Sequence, residues 1–321
     1  MMQDAILATP KQFEYIPEVM QKASMGTYSS YIVLGMGGSH LAADILSEVH
    51  EKLDLRIHSD YRLPYVPAEK KESTLIIASS YSGNTEEVLE GTTLALKEGL
   101  PVAVVAVGGK LLEIAQEHHL PYVQLPDTGI QPRSALGFSL RGLLALMGER
   151  ALLEESAQLR NMQPAVLEEK GKEIAENWKD KTPIIYASTK HKSIAYNWKI
   201  KMNETGKIPA FYNVLPEMNH NEMNGFDIKE KSKALAEKFT ILMIKDKNDH
   251  PKVLKRMEVV EKLYADRGLS VMTMTLTGEN ELEKIFTSLT IADWVAVHIA
   301  ALYDHEAEQV PMIEEFKKLI A

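Results

Sequence analysis

The sequence predicts an α/β protein with two parallel β-sheets, each flanked by helices. Short apolar runs rich in β-branched residues alternate with segments of helical period, which is the pattern of a parallel sheet wrapped by helices. The alternation begins a second time after about residue 180. At 321 residues the chain is also long enough for two domains of the usual size, ~100–200 residues each. We therefore expect two α/β units in succession.

Strands are predicted in the first half at the apolar runs Tyr31–Leu34, Leu55–His58, Leu75–Ala78, Val102–Val107 and Tyr122–Leu125. Helices are predicted between them at Leu41–Leu53 and Glu86–Glu98. The second of these helices ends before Gly99 and Pro101, and both are residue types that stop helices. A long apolar segment predicts one further helix over Ser134–Leu153.

The same pattern returns in the second half. Strands are predicted at Pro183–Ala187, Ala210–Tyr212, Phe239–Ile244 and Leu269–Thr275. Helices are predicted around Ser193–Asn203, Lys252–Asp266 and Glu281–Tyr303, with linking helix between about 150 and 180. We place the predicted domains at residues 1–152 and 153–321.

Composition excludes several classes of function. Lys and Arg number 36 against 45 Asp and Glu, a net charge of −9, which argues against a general nucleic-acid or acidic-membrane partner. Cysteine is absent, so disulfides, thiolate zinc sites, iron–sulfur clusters and cysteine nucleophiles are excluded. The N-terminus lacks a basic region before an apolar run, and no stretch approaches ~20 uninterrupted apolar residues. We expect a cytoplasmic protein.

A hydroxyl-rich turn follows the third predicted strand. Ser80, Ser82 and Thr85 offer three hydroxyls that can converge on one anion, and Gly83 permits a close backbone approach. The helix that opens after Thr85 adds its unpaired N–H groups and the positive end of its dipole. The turn therefore predicts a phosphate site. Thr85 followed by acidic residues is also ordinary N-cap chemistry, so the alternative is a simple helix start.

A second glycine turn follows the first predicted strand, at Gly35–His40. It fails as a dinucleotide fingerprint, because His40 stands where the third glycine belongs and Asp54 precedes the second strand instead of ending it. What remains is a turn carrying Gly38 and Ser39 at the same sheet edge as the first turn. Two anion-friendly turns on one edge favour phosphate binding over capping.

Three further positions offer chemistry. Arg133 follows the last strand of the first half and is able to reach the same sheet edge, although a surface arginine is the alternative. Glu204 ends a helix, where a carboxylate opposes the helix dipole, and is a candidate base. His220 lies in the polar segment Pro216–Glu222 and is a candidate acid–base partner near neutral pH. The alternative for Glu204 is the surface of a helix end.

Other chemistries find less support. The histidines show no metal-ligand spacing such as H-E-x-x-H, so we expect no metal. The sequence contains no G-x-S-x-G elbow of a serine hydrolase and no G-x-x-x-x-G-K-[ST] nucleotide-binding loop. The lysine-rich stretch from Trp178 to Lys201 is interpreted as a solvated face, with a binding patch as the alternative.

The chain resembles a known family at these positions. Gly37-Gly38-Ser39 followed by Ser80-x-Ser82-x-x-Thr85 is similar to the pattern of the sugar isomerase (SIS) domain, a flavodoxin-like α/β unit that binds phosphosugars. The added Arg133, Glu204, Pro216–Glu222 and Ile313–Lys317 resemble the bifunctional phosphoglucose/phosphomannose isomerase family over nearly the whole chain. The resemblance implies two flavodoxin-like SIS subdomains.

The resemblance also implies a role for each site residue. Gly38, Ser39, Ser80, Ser82 and Thr85 would bind the substrate phosphate. Glu204 would move a proton between C2 and C1 through a cis-enediolate, and Arg133 would stabilise the charge on that intermediate. His220 and Lys317 would assist opening of the sugar ring, with His220 reaching across the interface of a homodimer. No cofactor is implied.

One segment departs from the family pattern. Members acting on both glucose and mannose phosphates usually carry Pro-Thr-Pro before the terminal lysine, and here Glu306–Pro311 occupies that region, which leaves substrate breadth open. Lys318 is an alternative to Lys317 as the site lysine. Two other functions compete with a glucose 6-phosphate isomerase: a phosphosugar sensor, and an amino-sugar phosphate isomerase or deaminase. In a sensor, Glu204 and His220 would have no catalytic role.

Overall fold

The structure is a computed structural model that describes residues 1–320. The chain forms two compact units. The N-terminal unit comprises Ala8–Met162, and the C-terminal unit comprises Met1–Leu7 together with the residues from Gln163 onward. Helix α1 (Met2–Leu7) therefore belongs to the C-terminal unit, where its Met2 and Ile6 side chains are buried in one apolar cluster with Trp294.

The N-terminal unit is built on a parallel sheet. Its strands within the described chain are β1 (Ser30–Leu34), β2 (Leu55–His58), β3 (Thr74–Ser79), β4 (Val102–Ala106) and β5 (Tyr122–Gln124). Their order across the sheet is β2-β1-β3-β4-β5, with every pairing parallel. All residues of β3 and β4 are buried, as expected for strands covered by helices on both faces. The predicted strands of this half are confirmed.

Helices cover this sheet, and they differ from the prediction in one region. They are α2 (Thr9–Gln12), α3 (Leu41–Val49), α4 (Glu86–Lys97), α5 (Gly109–Glu117), α6 (Leu136–Met147) and α7 (Arg150–Ser156). The single helix predicted over Ser134–Leu153 is wrong, because Gly148 adopts a φ of +75° and ends α6 there. A left-handed glycine is the commonest helix terminator. Helix α5 escaped prediction altogether.

The C-terminal unit repeats the architecture with a smaller sheet. Its strands among the described residues are β6 (Thr182–Ser188), β7 (Phe211–Leu215), β8 (Phe239–Lys245) and β9 (Ser270–Thr275). They are parallel, in the order β7-β6-β8-β9. The flanking helices are α8 (Glu168–Asn177), α9 (Lys192–Glu204), α10 (Lys233–Ala236), α11 (Pro251–Ala265), α12 (Glu281–Leu302) and α13 (Pro311–Ile320). Strand β7 extends beyond the predicted Ala210–Tyr212, to Leu215.

Helix α12 is the core helix of the C-terminal unit and packs against α8 and α9. By length and composition it is apolar enough to cross a membrane, but 72% of its most apolar window is buried inside the protein. A core helix of a soluble protein meets the same criterion. Its charged residues Lys284 and Asp293 are buried and paired with other side chains of the unit.

Strand order reverses once in each sheet. From β1 the chain adds β2 on one side and β3 on the other, and from β6 it adds β7 on one side and β8 on the other. In open parallel sheets ligands bind beyond the carboxyl ends of the strands at such a reversal point. The turns after β1 and β3, and those after β6 and β8, are therefore the places to look for a site.

Candidate phosphosugar site

The turns after β1 and β3 are joined by direct hydrogen bonds. The backbone N–H of Tyr81 donates to the Ser39 hydroxyl at 2.9 Å. The Ser79 hydroxyl donates to the Ser39 carbonyl at 2.7 Å. Ser39 is 7% exposed and Ser79 is 2% exposed, so both hydroxyls sit at the base of the two turns. Ser79 was missed in the sequence, where it looks like the last residue of an ordinary strand.

Thr85 and Ser80 close the second turn through their hydroxyls. Ser80 Oγ and Thr85 Oγ1 lie 2.8 Å apart, and the N–H of Gly83 donates to Ser80 Oγ at 3.1 Å. Thr85 occupies the N-cap position of α4, yet over the described chain its side chain makes no capping hydrogen bond. The hydroxyl therefore points into the turn, and the helix start is left for other groups or a ligand to satisfy.

Two glycines are needed for this arrangement. A Cβ added to Gly38 would lie 2.7 Å from the backbone nitrogen of Arg133, so the first turn packs directly on the segment that carries this arginine. Gly83 adopts a φ of +72°, and a Cβ there would lie 1.8 Å from the carbonyl oxygen of Gly108. A side chain at either position would push the turns apart. Arg133 itself is 1% exposed, so this arginine is buried in the segment that packs on the Gly38 turn.

Ser82 stands on the exposed rim of the same turn. Its hydroxyl accepts a hydrogen bond from the Asn84 N–H at 3.3 Å. The Asn84 side chain in turn accepts from the Lys110 N–H at 3.1 Å, which ties the rim to the start of α5. The N-terminal unit thus brings together Gly38, Ser39, Ser80, Ser82, Thr85 and Arg133. Hydroxyls at a helix N-terminus, with the backbone of a buried arginine packed against the first turn, form an arrangement suited to an anion.

The remaining predicted site residues lie on three elements of the C-terminal unit. Glu204 is the last residue of α9 and is half-buried, with its carbonyl accepting a hydrogen bond from the Lys207 ammonium. His220 is exposed, in a short turn that follows β7. Lys317 is exposed on α13 and pairs with Glu314 at 2.8 Å. The neighbouring Lys318 lines a surface depression of about 370 Å³ together with Val310.

The reversal point of the second sheet is filled by the protein's own charges. The His191 ring lies 3.2 Å from Asp246, at the ends of the turns after β6 and β8. The Lys284 ammonium lies 2.8 Å from Asp246 and 2.9 Å from Glu281, and Lys190 lies 3.3 Å from Glu281. His191, Asp246 and Glu281 are close enough together to ligate a metal, but the Lys284 ammonium already contacts both carboxylates. This location holds an internal ion cluster where the first sheet has hydroxyls.

The pKa values of this cluster reflect its pairing. Burial alone would raise the pKa of Asp246, but hydrogen bonds from the Lys284 ammonium and the Asn248 N–H outweigh burial and hold it below its ordinary value. Burial would likewise lower the pKa of Lys284, and its bonds to Asp246 and Glu281 raise it instead. Both groups are therefore charged near neutral pH.

The lysine-rich stretch from Trp178 to Lys201 is not simply a solvated face. Lys201 is 2% exposed, and its ammonium forms a buried ion pair with Asp293 of α12 at 2.6 Å. Trp178 and Trp198 of the same stretch are also buried, with ring centroids 6.1 Å apart. The prediction is wrong here because the segment spans a buried strand and a helix packed on α12. The lysines spread along it mask its apolar pattern in the sequence.

Comparison with known proteins gives a consistent picture. Residues 167–320 match the family described as the bacterial phospho-glucose isomerase C-terminal SIS domain. A protein of Aquifex aeolicus named bifunctional phosphoglucose/phosphomannose isomerase is 33% identical over 91% of this chain and 90% of its own length. A D-glucosamine-6-phosphate 4-epimerase of Sulfolobus acidocaldarius is 27% identical over 88% of this chain and 87% of its own length.

A solved structure extends the likeness to the whole fold. The C-terminal domain of a glucosamine-fructose-6-phosphate aminotransferase from Francisella tularensis superposes with a TM-score of 0.70, over 96% of this chain and 98% of that one. The sequence identity is 14%, so this likeness concerns the fold alone. The two parallel sheets flanked by helices confirm the α/β fold that the sequence predicted, and the family match assigns the SIS domain to residues 167–320.

Proposed function

The chain belongs to the bifunctional phosphoglucose/phosphomannose isomerase family, and we propose that its substrates are hexose 6-phosphates interconverted between aldose and ketose. The ketose is fructose 6-phosphate, and the aldose is glucose 6-phosphate, with mannose 6-phosphate as a second candidate. The observation that carries the proposal beyond family membership is the hydroxyl cluster of Ser39, Ser80 and Thr85 at the reversal point of the first sheet. A phosphate placed there also meets the N-terminal end of α4.

Proton transfer is assigned to Glu204. A carboxylate at the C-terminal end of α9 is opposed by the helix dipole, so its presence there is structurally unfavourable and calls for a functional reason. In the proposed reaction Glu204 removes the proton from C2 of the aldose and returns it to C1 through a cis-enediolate, while the O2 hydroxyl proton is transferred to O1. Arg133 stabilises the enediolate oxygens, because a guanidinium stays protonated throughout.

Ring opening is assigned to His220 and Lys317. Opening a hexose ring needs one proton taken from the anomeric hydroxyl and one given to the ring oxygen, and an imidazole and an ammonium suit these two tasks. Both side chains are exposed in the described chain. Exposure is what a residue that acts on a site of a second subunit requires, so we include a homodimer with His220 reaching across its interface.

Helix α13 supports the homodimer. Every residue of this amphipathic helix is exposed or partly so among residues 311–320, and Met312, Phe316 and Leu319 are 81%, 58% and 79% exposed. A ten-residue helix has little stability without a packing partner, and an apolar patch of this kind marks an interface. A second copy of the chain is the partner that we propose. The proposed reaction needs no cofactor or metal, and we propose that the protein is cytoplasmic.

A product assay tests the function. The protein is incubated in separate reactions with fructose 6-phosphate and with glucosamine 6-phosphate. In the first reaction glucose 6-phosphate and mannose 6-phosphate are measured separately, with and without EDTA. We expect at least one aldose to form at a rate that EDTA leaves unchanged. Binding of fructose 6-phosphate without turnover would favour a sensor. Conversion only of glucosamine 6-phosphate would favour the amino-sugar alternative, to which the relationship with the Sulfolobus acidocaldarius epimerase lends weight.

A further inference from the structure

His220 lies on a turn that is anchored to the core on both sides. The turn Glu217–His220 is followed by a second turn, Glu222–Phe226. Met218 is fully buried before the histidine, and Phe226 is buried after it, where its ring packs 5.3 Å from the ring of Tyr264. His220 is exposed between these two anchors. The backbone around the imidazole is thus held while the ring itself is presented outward.

Glu222 adds a third attachment, and it is polar. Its carboxylate accepts a hydrogen bond from the Tyr186 hydroxyl at 2.5 Å and another from the Asn213 side-chain amide at 2.7 Å. Tyr186 lies on the central strand β6 and Asn213 on the edge strand β7. The two residues are register partners in the parallel pairing of these strands. Because register partners project from the same face of a sheet, one carboxylate is able to bridge both.

The bridge is well suited to fix a position. Hydrogen bonds to an ionised carboxylate are shorter and stronger than bonds between neutral groups. Burial raises the pKa of Tyr186 far above its ordinary value of 10.0, so its hydroxyl remains a donor at any physiological pH. Tyr186 is fully buried and its ring packs near Tyr264. The Glu222 carboxylate is thereby held by a side chain that is itself fixed by packing in the core.

We propose that Glu222 is a positioning residue for His220, acting through the bridge to Tyr186 and Asn213. The inference rests on the proposed function, in which His220 assists ring opening. A general acid or base must come within ~2.6–3.2 Å of the proton that it transfers. Met218 and Phe226 hold the two ends of the segment in the apolar core, and Glu222 fixes the piece between them against the sheet.

A double-mutant cycle separates this role from a general structural one. Glu222→Gln keeps the side-chain size and removes the charge. Glu217→Gln is the matched control, because Glu217 is an exposed carboxylate of the same segment. Among the hydrogen bonds of the described turn, the Glu217 carboxylate accepts only one, from Asn221. We expect Glu222→Gln to lower kcat for fructose 6-phosphate by ~10- to 100-fold with little change in KM, because a displaced catalytic group costs about that much. Glu217→Gln should leave kcat nearly unchanged.

In a His220→Ala background, Glu222→Gln should lower kcat by less than about twofold, because the two changes then remove the same contribution. An equal loss in both backgrounds would overturn the proposal, since Glu222 would then act through something other than His220. Tyr186→Phe removes one donor while preserving the core, and it should lower kcat in the same way but less. This variant keeps the test valid if Glu222→Gln folds poorly.

Hydrogen exchange supplies a readout that does not depend on turnover. Backbone amides of residues 217–222 should exchange at least ~10-fold faster in Glu222→Gln than in the unaltered protein, with no such change in Glu217→Gln. Unchanged exchange would contradict the anchoring role directly. If the unaltered protein fails to isomerise hexose phosphates, the proposed function is wrong, and the exchange rates still decide whether Glu222 fixes the turn.

Discussion

The hydroxyl of Ser39 accepts a hydrogen bond from the backbone N–H of Tyr81 at 2.9 Å, which ties the turn after β1 to the turn after β3. The bond crosses the point where the strand order of the first sheet reverses. Two turns that are 42 positions apart in sequence are thereby held in one geometry. The hydroxyls are therefore placed before any ligand arrives, which reduces the entropy lost on binding.

Removing hydroxyls from this cluster should weaken substrate binding. Thr85→Val should raise KM for fructose 6-phosphate by roughly 10- to 100-fold, because a hydrogen bond to a charged group contributes ~1.5–3 kcal/mol. The effect on kcat should be small, since phosphate is held alike in the ground and transition states. Thr93→Val is the matched control, because the Thr93 hydroxyl bonds only the Leu89 carbonyl within α4 among the hydrogen bonds of the described helix. Steady-state kinetics measures KM for both variants. Equal KM values would remove Thr85 from the phosphate site.

Replacing Glu204 should separate binding from chemistry. We expect Glu204→Gln to lower kcat by ~10² to 10⁴, the usual contribution of a general base, while calorimetry still detects binding of fructose 6-phosphate. The exposed Glu173, replaced by Gln, serves as the control for loss of a carboxylate. Turnover in the Glu204 variant close to that of the Glu173 variant would show that another group takes the proton.

Local sequence signals predicted the strands well and the contacts between them poorly. Runs such as Leu75–Ala78 are apolar over their whole length, so neighbouring residues alone predict a strand there. The clustering of the turns follows from parallel topology alone, because the carboxyl ends of neighbouring strands share an edge. The bridge from Glu222 to Tyr186 and Asn213 depends instead on the register of β6 against β7. Register depends on the hydrophobic patterns of both strands and on the connections between them, so the sequence of one strand alone does not give it.

Buried charge was equally hidden from the sequence. Lys201 looks like one of several surface lysines, and only the position of Asp293 on α12 makes it half of a buried ion pair. The residues around Arg133 are those of a surface turn, yet Arg133 is 1% exposed, and the distant Gly38 turn packs directly on its backbone. In both cases burial comes from a segment far away in the chain.

The ion cluster of the second sheet predicts an acid limit to stability. The folded-state pKa of Asp246 lies below its ordinary 3.8, so its stabilisation is complete above pH 3.8 and is lost as pH falls from there through the folded pKa. Asp246→Asn should lower the free energy of unfolding at pH 7 by about 3 kcal/mol, because Lys284 is left buried with a weaker set of partners. The deficit should shrink below pH 3.8.

Urea denaturation between pH 3 and pH 7 measures this deficit, with Asp227→Asn as the control. Asp227 is paired with Arg267 at 2.9 Å on the exposed side of the unit, so its loss should change stability far less. A deficit for Asp246→Asn that stays constant down to acid pH would mean that the lost stability has no electrostatic origin.

A charge placed on α13 should break the proposed homodimer and reduce activity together. Phe316 is 58% exposed in the apolar face of this helix, and burying a glutamate in its place against a second copy is strongly unfavourable. Phe316→Glu should therefore shift the protein towards the monomer in analytical ultracentrifugation. Activity should fall with the loss of the dimer, because His220 is proposed to act on the partner's site.

Leu235→Glu introduces the same charge at a 77% exposed leucine outside α13 and should leave both mass and activity unchanged. Full activity in a monomeric Phe316→Glu protein would place the whole site within one chain.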